Sequence, residues 1–96
     1  MRRAPRIDAN QRMIVAGLRC IPGVSVFSTA ALGNGFVDVV VGYKGTNYML
    51  EIKDGAKAPS ERKLTPAEQR FHDEWRGQVA MVETLADCLR VMGVTG

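Results

Sequence analysis

The chain has 96 residues, 46% of them hydrophobic, with 13 Lys and Arg against 10 Asp and Glu. That is enough for one hydrophobic core, too little for a second, and too apolar for a disordered chain, so one domain over 1–96 is expected. No apolar run approaches the roughly 18 residues of a membrane span, and the N-terminal MRRAPRIDANQ lacks the apolar stretch of a signal peptide, which points to a cytosolic protein without a membrane partner.

In chain order, Asp8 is placed to cap a helix starting at about Ala9, with Met13, Ile14, Ala16, Gly17, Leu18 and Cys20 as its apolar face and Pro22-Gly23 as its stop. Val24 to Ser28 alternates like a short strand, and Ala30 to Gly35 is a small-residue loop with an Asn-Gly step. Gly35 to Lys53, GFVDVVVGYKGTNYMLEIK, reads as two β-rich runs joined by a polar turn. With a turn of two or four residues, Gly42 faces Asn47 and Asp38 lies opposite Glu51. DGAKAPSERK then forms an exposed, mobile loop. Thr65, Pro66 and Glu68 mark a helix start with a capping box, running to about Trp75 or Arg76. Gln78 to Val82 is a last strand, and Thr84 with Asp87 caps a closing helix through Met92. The expected order is αβββαβα, an α/β (α+β) domain with a mixed central sheet flanked by helices.

Cys20 and Cys88 have neither CxxC nor Cys/His ligand spacing, so no zinc site is expected and both read as reduced core thiols. His72, the single histidine, sits beside aromatic residues and reads as a packed side chain. The chemistry falls instead on the hairpin. Alternation points Asp38, Glu51 and Lys53 to one face and Leu50 and Ile52 to the other. Directly opposed residues have Cβ atoms about 4.5 to 5.5 Å apart, where like charges repel, and a divalent cation reverses that sign. On the residues alone, the alternative is a solvated hairpin on which Lys53 neutralises its neighbours. Basic clusters flank the acidic pair: Arg2, Arg3, Arg6, Arg12 and Arg19 before it, and Lys57, Arg62 and Lys63 after it. Cations around a metal-binding pair suit a phosphodiester backbone.

Asp38, then Glu51-Ile52-Lys53, then LTPAEQ and a terminal βα unit together resemble the virus-type replication-repair nuclease (VRR-NUC) domain of the PD-(D/E)xK superfamily, in a stand-alone, phage-type form. The resemblance covers nearly the whole chain. It implies a restriction-endonuclease-like core and Mg²⁺-dependent hydrolysis of DNA, with Mn²⁺ as substitute. Asp38 and Glu51 would be metal ligands, completed by the backbone carbonyl of Ile52. Lys53 would be the catalytic lysine, and Gln69 the glutamine that an L-T/S-x-x-Q segment carries on a helix. Arg2, Arg3, Arg6, Lys57, Arg62 and Lys63 would contact DNA phosphates. Compact members resemble Holliday-junction-resolving enzymes, which implies a homodimer on four-way junctions in the host cytoplasm. The first helix with Met13 and Ile14, or Val91 to Val94, would form the interface. Two positions depart from the pattern: Val37 replaces the proline before the aspartate, and Gln11 stands about where many members carry a helical glutamate. Two other readings are a catalytically weak DNA-binding module that retains the fold, and a basic accessory protein with an accidental D…ExK spacing.

Overall fold

A computed structural model describes residues 8–95, so Arg2, Arg3 and Arg6 lie outside the described residues. The elements are α1 (Ala9–Arg19), β1 (Val24–Ser28), a 3-10 turn (Ala30–Leu32), β2 (Val39–Tyr43), β3 (Thr46–Ile52), α2 (Pro59–Arg62), α3 (Pro66–Glu74), β4 (Ala80–Val82) and α4 (Leu85–Met92). The sheet is mixed, in the order β1-β2-β3-β4, with β1-β2-β3 antiparallel and β4 parallel to β3. This is the α+β class expected, with one addition: the charged stretch after the hairpin contains the one-turn helix α2.

The hairpin turn has two residues. Lys44 and Gly45 both take positive φ, 50° and 79°, which matches the right-handed twist of the flanking strands and leaves Gly42 facing Asn47. Thr46 and Asn47 therefore belong to β3 rather than to the turn.

Helices α1 and α4 cover one face of this sheet. Ile14 and Leu18 from α1 and Cys88 and Met92 from α4 meet Val39, Val41, Leu50, Ile52 and Val82 in the core. Asp8 caps α1 by accepting from the Gln11 N–H at 2.8 Å. The inward stripe of α1 is Gln11, Ile14 and Leu18, while Met13 and Cys20 face outward. The expected apolar face is thus corrected: positions 13 and 20 fall off the i, i+3, i+7 stripe that meets the sheet. Only Cys88 of the two cysteines is a core thiol.

Helix α3 docks elsewhere, on the segment leading into β2. Phe71 meets Phe36 edge-on at 5.2 Å and stacks on Trp75 at 5.1 Å. The backbone of Gly35, at φ 79°, lies so close to the first turn of α3 that a Cβ would overlap the carbonyl of Ala67. His72 is partly buried on this helix, as expected. No helix among the described residues is long and apolar enough to cross a membrane.

Candidate functional site

Val39 pairs with Leu50 at the end of the ladder. The Asp38 N–H donates to the Leu50 carbonyl at 3.2 Å, one position off that register, so the regular pairing ends at Val39 and Asp38 is not the ladder partner of Glu51 as the hairpin register implies, although the two carboxyl groups still meet. Asp38 Oδ2 accepts from the Ile52 N–H at 2.7 Å. The N–H and C=O of a strand residue point toward the same neighbour, so the Ile52 carbonyl also lies on the Asp38 side. Its side chain packs in the core. Glu51 is 1% exposed, and its Oε1 has no hydrogen-bond partner among the described residues. Two residues on, Lys53 Nζ lies 3.7 Å from Glu51 Oε2. The Asn10 amide donates to the Lys53 carbonyl at 2.9 Å and to the Glu83 carbonyl at 3.2 Å, tying the start of α1 to this end of the sheet.

The helical residue that reaches the group is Glu68. Its Oε1 accepts from Lys53 Nζ at 2.7 Å and from the Thr65 N–H at 2.8 Å, while Thr65 Oγ1 accepts from the Glu68 N–H at 3.2 Å. The capping box that starts α3 therefore also positions the lysine's partner. Gln69 is exposed, and its side chain donates to Asp73 at 2.9 Å. The spacing could have shown this: counting L-T-x-x-Q from Leu64 ends on position 68, not 69.

The electrostatics follow from burial. Loss of hydration, with the Asp38 and Glu68 carboxylates adding to it, pushes Glu51 up from 4.5 to about 10. Burial also raises Asp38, against the lowering effect of Glu51 and of the Ile52 N–H. For Lys53 burial acts downward, but the hydrogen bond to Glu68 and the charges of Glu68, Glu51 and Asp38 outweigh it, so the ammonium is held above its ordinary value. Glu68 moves the other way: burial would raise it, and Lys53 with the Thr65 N–H brings it below the usual carboxylate range.

No family model, curated protein or solved structure matches this chain.

Beside the acidic pair, Met81 is the β4 partner of Glu51. It lines an open cleft of about 490 Å³ together with Arg62, Lys63, Leu64, Gln69 and Glu83. Arg62, Lys63 and Gln69, all singled out by the sequence, are thus brought to one cleft next to Glu51. Arg62 is partly neutralised by Glu83 at 3.6 Å, and Lys57 is exposed on the loop before α2. Gln11 is buried and lines a separate groove with Arg12, Val15 and Ser28.

Among the described residues, no group of three or more His, Cys, Asp or Glu side chains is arranged to hold a metal ion. The candidate donors are the Asp38 and Glu51 carboxylates, which meet, and the Ile52 carbonyl on the Asp38 side of its strand. That set fits Mg²⁺, which keeps several waters and is bound through one or two carboxylates, and the orphaned Glu51 Oε1 is a buried acceptor lacking a cation or proton donor.

Proposed function

We propose that the chain is a metal-dependent nuclease with a restriction-endonuclease-like core, hydrolysing phosphodiester bonds of DNA. The observation that carries this reading is the buried Glu51 carboxyl meeting half-buried Asp38, with Lys53 beside them and one Glu51 oxygen unpartnered among the described residues. A fold gains nothing from pressing Glu51, which burial keeps protonated, against Asp38, whereas a divalent cation would displace that proton and compensate both carboxylates.

Asp38 and Glu51 would hold the cation, with the Ile52 carbonyl as a third donor. Mg²⁺ or Mn²⁺ there would supply Lewis acidity, lowering the pKa of water and offsetting charge on the phosphate. Lys53, kept protonated by its three acidic neighbours, donates from Nζ to the phosphate oxygen on which charge develops. Glu68 sets the position of Nζ through its 2.7 Å contact. Arg62 and Lys63 in the cleft, with Lys57 on the adjoining loop, hold backbone phosphates and so position the strand without reading sequence. In the cleft Gln69 is placed to contact a phosphate rather than the lysine. The preferred substrate is branched DNA, a four-way junction, cut by a homodimer that places one site on each of two strands. A catalytically weak DNA-binding module is the second reading, favoured by the closeness of the Lys53–Glu68 pair.

A supercoiled plasmid carrying a cruciform separates the two. The wild-type protein with Mg²⁺ should nick it at paired positions, and either EDTA or Asp38→Asn should reduce that by about a hundredfold or more. Binding without nicking would leave the binding module. An Asp38→Asn protein as active as wild type would end the nuclease reading.

A further inference from the structure

The sheet face opposite α1 and α4 carries the acidic pair, and toward β1 it exposes Phe27 beside half-buried Val40 and Met49. Strand register sets Phe27, Val40 and Met49 in one row across β1, β2 and β3. Glu51 and Met81 stand in the next row across β3 and β4, and Asp38, just before β2, meets Glu51 there. Rows on one face are two residues apart along a strand, about 7 Å, so the Phe27 row directly adjoins the carboxylates. Phe27 is 73% exposed and Met81 45%, although the opposite face of the same strands is packed. A single exposed apolar side chain is ordinary, but this ring stands on a strand one row from the carboxylates and is free to take a partner.

Charge around the rows selects the partner. The cleft carrying Arg62 and Lys63 opens on Met81, at the far end of the carboxylate row. Moving along the face from that cleft, a ligand would pass cations, then half-buried Asp38 beside buried Glu51, then an exposed aromatic ring. A strand of nucleic acid with its bases free matches that sequence: phosphates track the basic groove and a base lies on the ring. A closed duplex keeps its bases stacked on one another and has nothing to place on Phe27.

We infer that the open sheet face centred on Phe27 is a stacking platform for an unpaired base of the strand held at the Asp38–Glu51 pair. The substrate is then single-stranded, or opened locally at the point of attachment, as at a branch. This rests on the nuclease reading above for the identity of the occupant, but not for its test.

Fluorescence anisotropy in EDTA with labelled oligo(dT), an abasic strand of equal length and a hairpin duplex gives the readout. Phe27→Ala should weaken oligo(dT) binding about tenfold or more. Phe27→Trp should retain it, and neither change should affect the abasic strand or the duplex. Unchanged oligo(dT) binding by Phe27→Ala would overturn the inference, as would equal weakening of oligo(dT) and the abasic strand. If light scattering shows Phe27→Ala converting a dimer to a monomer while oligo(dT) binding persists, the face belongs to a second copy of the chain and the inference also fails. Cleavage does not enter these measurements. Phe27-dependent binding without Asp38-dependent nicking would keep the platform and remove the nuclease; the converse would keep the nuclease and remove the platform.

Discussion

Glu51 holds a carboxyl group whose Oε1 is sealed from solvent and has no hydrogen-bond partner among the described residues, and the cost of ionising it there sets the pH behaviour of the metal-free protein. Its folded pKa is raised from 4.5 to about 10, so between those values the folded chain keeps a proton that the unfolded chain has released. Stability must therefore fall as pH rises through that window, by up to about 1.4 kcal/mol per pH unit. Asp38, also raised, acts in the same direction. Lys53, whose raised value stabilises at every pH below its unfolded value, does not offset the slope. Thermal melts in EDTA should show a lower Tm at about pH 9 than at about pH 5, and Glu51→Gln should flatten the profile; a flat wild-type profile would mean that Glu51 ionises freely. Lys53→Met separates chemistry from binding. Calorimetry should find Mn²⁺ binding retained, while a nicking assay shows most turnover lost. Equal loss of both would make Lys53 a structural counter-ion.

At the scale of elements, α3 is placed by the Gly35–Ala67 approach and brings Glu68 to Lys53. Gly35→Ala must relieve both a positive φ and an overlap with backbone, at a cost of about 2 kcal/mol or more. It should lower Tm and abolish nicking together, whereas Gly45→Ala, with open space around it at the hairpin tip, should lower Tm and spare the site. The hairpin from Val39 to Ile52 was legible in the sequence, because side-chain alternation and a two-residue Lys-Gly turn leave only one register, whereas the step off that register at Asp38 has no local signal. The helix starts at Asp8, Thr65 and Thr84 were legible for a similar reason, since a cap is a local hydrogen bond. Helix α2 was not, being one turn of polar residues without a periodic stripe. Nor was the division of α1, where Met13 and Ile14 are equally apolar and only the sheet's position decides which is buried. Phe27 and Val26 alternate on β1 in the same way, and no local signal says which face will stay bare.

For the whole molecule, charge and association are the measurable consequences. Lys57, Arg62 and Lys63 surround the cleft side of the site, and log affinity for duplex DNA should fall with log salt by roughly 0.9 per phosphate contact. Neutralising all three should lower that slope by about one per residue and weaken binding to all sequences alike. An unchanged slope would remove them from the interface. Of the surfaces considered for a homodimer, Ile14 is core, and Val91 and Val94 pack against their own core, which leaves Met13 on α1 as the exposed apolar contact. Until a cation occupies it, the Asp38–Glu51 pair costs the fold stability, and everything proposed for the site depends on that cost. Binding to the folded state alone raises stability with ligand concentration. The direct measurement is therefore the Tm of wild type and Asp38→Asn across a Mn²⁺ titration at about pH 8. Wild-type Tm should climb steadily with Mn²⁺ while that of Asp38→Asn starts equal or higher and stays level. A wild-type Tm indifferent to Mn²⁺, or the same rise in both proteins, would contradict a cation site at this pair.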